Sequence, residues 1–315
     1  MLSPTSRWAA LVVAVSCVFT PAVSAALKIG FLTKARTPFW SAAEQGGLKA
    51  GAEAGAEVIV KAPLNEGDVA VQIQLLEALV AQGVDAIVLA PSSKDTLVAP
   101  LAAAAAKGIK IVVFDTRLEG DQPYVFVGTD QRRSGQAAGE LLASLIGPAD
   151  PVGFLKHNQT SGATVQRELG AFERMRALRK DFSLCGSVYV GAEKGAEKER
   201  TAAFLEQHPE AKALLASSTP ATLALIEVLR ERKLEGVVKG VGFGFNLTPA
   251  VAAAIEQDVL QGWIAQLPGK MGYDAVRAAV GLCRGDTVPK AITTEFFVVT
   301  KQNLAEPAVQ ALLAQ

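Results

Sequence analysis

The sequence predicts an α/β protein of two lobes, each a parallel sheet buried under helices, and three observations carry that expectation. Short β-branched runs alternate with amphipathic helical stretches from residue 27 onward, which is the pattern of βαβ units. The rhythm restarts after Tyr124 to Val127, so the elements fall into two sets rather than one large sheet. A chain of 315 residues, 50% of them apolar, supplies two cores at roughly 100–200 residues per domain.

In order, Lys28 to Thr33 is a predicted strand, Phe39 to Ala54 a helix and Glu57 to Val60 a strand. Val69, Ile73, Leu76 and Val80 recur at helical spacing before the strand Ala86 to Leu89. A helix from about Thr96 to Lys107 precedes the strand Ile109 to Phe114. In the second set, Val152 to Leu155, Gly186 to Val190, Ala213 to Ala216 and Val237 to Phe243 are strands. Helical stretches near 131–145, 163–179, 197–207 and 220–232 separate them. Two late extended runs, Leu260 to Gln266 and Thr294 to Val299, suit a chain that revisits its first lobe.

The first 25 residues have a different character. Arg7 begins a positive segment, Trp8 to Phe19 is apolar, Pro21 breaks the helix, and Val23-Ser24-Ala25 offers small residues for cleavage. This is the three-part export signal, with cleavage near Ala25 and a periplasmic destination. No later run approaches about 18 consecutive apolar residues, so the mature chain is expected to be soluble. Lysine plus arginine and aspartate plus glutamate stand at 31 each, so no field favours nucleic acid. Cys185 and Cys283 form no zinc or redox spacing and are read as small buried hydrophobes.

Enzyme signatures are missing: there is no GxxxxGK[ST] loop, no GxSxG elbow and no HExxH. Gly240-Val241-Gly242-Phe243-Gly244 lacks the glycine offset of a dinucleotide site. The expectation is therefore a non-enzyme without cofactor or metal. His157 and His208 are the only histidines, the first read as a loop residue within reach of the crevice, the second as a solvated helix end.

Two open parallel sheets side by side form a crevice at the carboxyl ends of their strands, where ligands of such sheets bind. Candidate residues are those that follow strands. Lys34, Thr37, Phe39 and Trp40 follow the first strand; the two aromatics either offer flat faces to a sugar ring or staple the helix start to the core. Asp115 ends a strand and is either an acceptor for ligand hydroxyls or a turn residue, with Arg117 a nearby donor. Arg167 sits early in a helix, where the dipole does not favour a cation, so a ligand or carboxylate partner is expected. Asp130 is expected to cap the helix that follows it. Lys34, Arg117 and Arg167 against Asp115 as sole carboxylate would tilt the crevice toward an anionic or strongly electronegative sugar derivative.

These segments together resemble the periplasmic sugar-binding proteins of the ribose-binding type, the type I solute-binding proteins. The likeness is carried by Thr37-Pro38-Phe39-Trp40, Gly83 to Pro91, Val113-Phe114-Asp115, Val127-Gly128-Thr129-Asp130, Arg167 to Phe172, Gly244 to Pro249 and Ile264 to Pro268. It implies two Rossmann-like lobes joined by a three-strand hinge, with crossings near Thr129–Asp130, Gln266–Leu267 and Thr294–Glu295. The first lobe would hold 27–129 plus 267–294 and the second 130–266 plus 295–315. Phe39 and Trp40 match the aromatic pair around the sugar, Asp115 the hydroxyl-binding carboxylate, Arg167 the second-lobe arginine and Gln266 the hinge glutamine. Thr37, Ser218-Thr219, Gln131 and Asn246 depart from the residues of relatives, which puts ribose itself in doubt. The implied role is capture of a sugar by hinge closure, as a monomer, and delivery to an ABC permease. A periplasmic sensor for a histidine kinase or chemoreceptor is the alternative. A DNA-binding regulator of this fold is disfavoured, because the export signal occupies the place of its headpiece.

Overall fold

The computed structural model describes residues 26–120, 123–159, 161–192 and 195–314; the expected export signal, residues 1–25, lies outside them. The chain begins with β1 (Lys28–Leu32), α1 (Pro38–Ala54), β2 (Glu57–Lys61), α2 (Val69–Ala81), β3 (Ala86–Leu89), α3 (Val98–Ala106), β4 (Lys110–Phe114) and β5 (Val125–Thr129). It goes on to α4 (Gln131–Leu145), β6 (Val152–Lys156), α5 (Gly162–Leu178), β7 (Leu184–Tyr189), α6 (Glu197–Gln207), β8 (Ala213–Ala216), α7 (Thr219–Glu231), β9 (Lys239–Phe245), α8 (Pro249–Glu256) and β10 (Gly262–Gln266). The final elements are α9 (Pro268–Arg284), β11 (Ala291–Thr294), β12 (Phe296–Val299) and α10 (Pro307–Gln310).

Two six-stranded sheets result, in the orders β11-β5-β4-β3-β1-β2 and β12-β10-β9-β8-β6-β7. The strands β3 and β8 are buried along their whole length, as parallel strands under helices on both faces must be. Each sheet accordingly has an apolar cluster on either side, centred on Phe31 with Phe114 and on Leu89 with Leu101 in the first lobe. Trp263 with Leu225 and Phe154 with Phe243 centre those of the second. The chain passes between sheets at Asp130, at Leu267 and at Glu295.

Sequence periodicity anticipates most strands, and the helices up to α7, to within two or three residues; α8, α9, α10 and most of β11 lie outside the elements it predicts. The extended run at 294–299 is β12 preceded by the last residue of β11, with the break at Glu295 where the resemblance puts the third crossing. The second sheet differs from the expected parallel sheet, since β12 runs antiparallel to β10. The antiparallel β12 follows from the crossing. All strands that precede a ligand edge point their carboxyl ends at it, as β11 does beside β5. A strand that arrives straight from the other lobe must instead run away from that edge.

Helix packing next to the crossings is unusually close. A Cβ on Gly135 of α4 would lie 2.1 Å from the Arg167 carbonyl oxygen of α5. Only glycine lets these backbones touch there, and the approach brings Arg167 against the start of α4. Pro38, Pro249 and Pro268 open α1, α8 and α9, at the helix position that needs no N–H donor. The Asp130 carboxylate accepts from the Arg133 N–H at 3.0 Å, the cap expected from the sequence. Among the described residues, no helix is long and apolar enough to cross a membrane.

Candidate functional site

The wall contributed by the first lobe is built where β1 and β4 end. Asp115 leaves β4 with φ 64°, a left-handed conformation that aspartate tolerates better than most side chains. Its N–H still bonds the Val127 carbonyl at 3.0 Å, so the turn remains tied to β5. The carboxylate is thereby brought to Lys34, whose Nζ donates to Asp115 Oδ2 at 2.9 Å and to Thr116 Oγ1 at 2.7 Å. The Thr116 hydroxyl in turn donates to Asp115 Oδ2 at 2.9 Å. All three side chains are buried. Burial of a lysine ammonium is tolerable only with such a partner. The same Nζ lies 5.3 Å from the ring centroid of Trp40, within cation–π range.

The second lobe and the crossings supply a continuous hydrogen-bond chain. Gln131 Nε2 donates to Gln266 Oε1 at 2.9 Å, linking the first crossing to the second. Arg167 Nε donates to Gln131 Oε1 at 2.7 Å, and its Nη1 to the Ser217 carbonyl at 2.9 Å. Ser217 Oγ then donates to Glu168 Oε1 at 2.8 Å and accepts from the His157 N–H at 3.1 Å. Thr129 and Thr294 join the first and third crossings through their hydroxyls, 3.2 Å apart. Burial pulls the Arg167 guanidinium down to about 10, although Asp115, Glu168 and Glu66 pull it the other way. It remains a cation at neutral pH. Burial pushes the Glu168 carboxyl above its ordinary range, against the Ser217 hydrogen bond and the charges of Lys156 and Arg167.

The two walls meet. Phe39 of α1 packs edge-on against Phe245 of β9, with ring centroids 5.5 Å apart. Glu66, between β2 and α2, stands 3.9 Å from Lys34 Nζ in its own lobe and 3.9 Å from His157 Nε2 in the other. Burial raises the Glu66 carboxyl, yet the His157 hydrogen bond and the charges of Lys34, His157 and Arg167 together hold it below the ordinary glutamate value. Beside these contacts a groove of about 490 Å³ opens, lined among others by Asp115, Thr116, Asp130, Gln131, Gly162 and Gln166. That is a volume typical of small-molecule sites, roughly 300–1,000 Å³.

A depressed folded-state value means that Glu66 contributes stability above the ordinary glutamate range, and that this contribution fades as pH falls through the depressed value. Glu168, with a raised value, acts in the opposite sense: its unfavourable burial is felt as pH rises toward neutrality. Acid titration from neutral pH should therefore lower the melting temperature of the native chain more than that of Glu66→Gln. Parallel curves for the two proteins would remove Glu66 from the contact between lobes.

Lys34, Asp115, Arg167 and Gln266 thus lie in the buried network at the lobe junction. Phe39 is half-buried at the same junction. Trp40 is buried in the first-lobe core, edge-on to Phe114 at 6.1 Å, so the staple geometry is present whatever else the ring does. Asn246, with φ 48°, bends the chain after β9 as Asp115 does after β4, and its carbonyl accepts from Trp263 Nε1 at 2.7 Å. Thr37 precedes α1 half-buried and without a capping bond from its side chain. Ser218 caps α7 by accepting from the Ala221 N–H at 3.4 Å.

Arg117 is an exposed residue that lines the groove, its guanidinium 3.8 Å from the Phe126 ring centroid, while its neighbour Thr116 turns inward. One expectation is corrected. Asp115 is not the sole carboxylate, because Glu66 and Glu168 share the junction. The argument for an anionic ligand loses its shortage of acids. Glu66 escaped the sequence reading because it lies in a polar loop, Asn65-Glu66-Gly67-Asp68, with no strand directly before it. His157 gave a fair signal, following β6 directly, and was read as the blander loop residue.

A two-sheet protein with three crossings and polar groups from both lobes gathered at their junction is a hinged binding protein. Residues 29–287 match the periplasmic binding protein domain, and the chain belongs to that family. The D-ribose/D-allose-binding protein of Pseudomonas aeruginosa is 28% identical over 240 residues, 73% of each chain. The ribose import binding protein RbsB of Bacillus subtilis is 25% identical over 84% of each. Among solved structures, the periplasmic component of an ABC-type sugar transport system from Hahella chejuensis shares 26% identity and a TM-score of 0.81, over 87% of this chain and 99% of that one. A carbohydrate transporter solute-binding protein from Agrobacterium radiobacter, in complex with D-arabinose, has the same fold: TM-score 0.85 at 24% identity, over 92% and 99%.

Proposed function

We propose that this chain is an exported receptor that captures a neutral, monosaccharide-sized sugar by hinge closure and delivers it to an ABC importer, without chemical turnover. One observation carries the reading. Donors and acceptors of both signs, Lys34 bonded to Asp115 and Arg167 bonded to Gln131 and Ser217 with Glu66 and Glu168 at the same junction, gather where Phe39 of one lobe meets Phe245 of the other. Such a lining suits a molecule that both donates and accepts hydrogen bonds along its rim and offers C–H faces to aromatic rings. The near balance of charge favours hydroxyls over a carboxylate or phosphate. The relatives named for ribose, allose and other sugars support the class of ligand, and the fold supports closure by rotation about the crossings. The receptor acts as a monomer, and binding of nucleic acid forms no part of its role.

A thermal-shift screen over pentoses, hexoses, polyols and sugar acids tests this reading. Ligand at a hundred times its dissociation constant adds about 2.7 kcal/mol, and one or a few neutral sugars should give such a shift. A response confined to sugar acids would overturn the neutral assignment, and silence across the panel would overturn the sugar. Recovery of a chemically altered sugar would argue for an enzyme. Intact mass of the exported protein should begin at Ala26 or Leu27.

A further inference from the structure

At the far end of the second lobe, three side chains of different chemistry meet without any role in the cleft. Cys185 is the second residue of β7, the edge strand of its sheet. The pairing of β7 with β6 goes from Val152↔Leu184 directly to Gly153↔Gly186, so Cys185 is the extra residue of a β-bulge. Bulges of this kind re-aim one side chain and tend to mark functional positions. His208 ends α6, its N–H bonded to the Phe204 carbonyl at 2.9 Å. Its ring is held between Phe204, 4.5 Å away centre to centre, and the bare backbone of Gly186, where a Cβ would lie 2.6 Å from Nε2. Glu210 follows in a turn closed by the Ala211 N–H on the His208 carbonyl at 3.1 Å. One donor atom from each of Cys185, His208 and Glu210 lies within 4.8 Å of the other two.

We propose that Cys185, His208 and Glu210 form a Zn²⁺ site that ties the edge strand β7 to the turn after α6. His208 Nδ1 and Glu210 Oε1 are hydrogen-bonded to each other at 3.2 Å, a separation close to the edge of a tetrahedron with bonds of about 2.0–2.2 Å, so a metal between them would take the place of the shared proton. Sulfur, imidazole and carboxylate are the three donors that zinc accepts together, and a three-ligand set leaves the fourth position to water. The thiol proton leaves to solvent as the thiolate binds. Cys283 is no rival for the sulfur, because both thiols are free and Cys283 belongs to α9, which packs on the first sheet. The site lies at the amino ends of its strands, opposite the cleft, so it stands independently of the sugar reading.

The test uses the full mature chain, stripped with chelator and titrated with Zn²⁺ alone by calorimetry, with Co²⁺ as a spectroscopic stand-in. One equivalent should bind, and Co²⁺ should show a thiolate-to-metal charge-transfer band. Glu210→Gln changes an exposed side chain and should weaken Zn²⁺ at least about 10–100-fold, the range seen for loss of even an outer-shell partner. Cys185→Ser should abolish the Co²⁺ band while sugar binding in the cleft is unchanged. Melting curves of the metal-free variants establish that each is folded. Absence of binding, or Zn²⁺ affinity unchanged in both folded variants, overturns the site.

Discussion

Trp40→Ala is expected to cost about 3–5 kcal/mol of folding stability, the usual loss for a buried tryptophan. The ring is buried at 4% exposure among Phe31, Phe114 and Met271 of the first-lobe core. It meets Phe114 and Phe39 edge-on at 6.1 and 4.8 Å, a geometry that adds to its area burial. It also faces Lys34, so its removal strips one neighbour from a buried ammonium. Phe39→Ala should behave differently. That ring is half-buried and reaches Phe245 in the other lobe, so its loss should weaken ligand affinity and the closed form while costing less in unfolding. Urea denaturation measures the first quantity, and calorimetry with a sugar from the screen measures the second. Equal stability losses in the two variants would make both rings core staples. A stable Trp40→Ala protein that has lost only binding would make Trp40 a ligand platform alone.

The fold was open to sequence reading because its signals are periodic. Valine and isoleucine runs such as Ile111 to Val113 alternate with helices over enough turns that βαβ units are hard to mistake. The crossing residues were harder, since an isolated Gln266 or Thr294 carries no local pattern; only the resemblance to a family located them. Side-chain direction at strand ends was harder still. In Asp115-Thr116-Arg117, a single left-handed residue turns Thr116 inward and leaves Arg117 on the surface. No propensity distinguishes those two outcomes. Glu66 and His157 illustrate the limit of another kind, because their partnership is created by the approach of two lobes and spans 91 positions of chain. The helix contact through Gly135 belongs there too, as its meaning depends on a carbonyl of α5.

In the first-lobe wall Lys34 is paired with Asp115 and hydrogen-bonded to Thr116, with the Glu66 carboxylate 3.9 Å away. In the second-lobe wall the Arg167 side chain donates to the neutral oxygens of Gln131 and Ser217. Asp115 and Glu66 from across the junction, and its neighbour Glu168, all favour its charged form. On the proposed reading of hinge closure, the second lobe's buried cation would gain from the approach of the first lobe's carboxylates. Sugar hydroxyls placed between them would accept from the guanidinium and donate to the carboxylates, strengthening both in a site from which water is excluded.

Arg167→Met should weaken sugar binding by about 2–5 kcal/mol, by analogy with truncation of a buried, hydrogen-bonded charge. Methionine keeps length and apolar volume against Phe243, whose ring centroid lies 5.1 Å from the guanidinium, so packing is largely retained. Stability will not be untouched, contrary to what an open cleft arginine would suggest. Gln131 Oε1 and the Ser217 carbonyl each lose a donor, at about 1–3 kcal/mol for a buried acceptor left alone. Against that stands relief from burying a full cation, so the net change in folding should be smaller than the change in binding. Arg167→Lys separates the two effects, since it restores charge without the planar fork that serves Gln131 and Ser217 at once. Calorimetry with the screened sugar and urea denaturation of the same three proteins decide the matter. Affinity lost in Arg167→Met and only partly recovered in Arg167→Lys is the expected result. Unchanged affinity in a folded Arg167→Met protein would take Arg167 out of the ligand site, leaving it a strut between α5 and the first crossing.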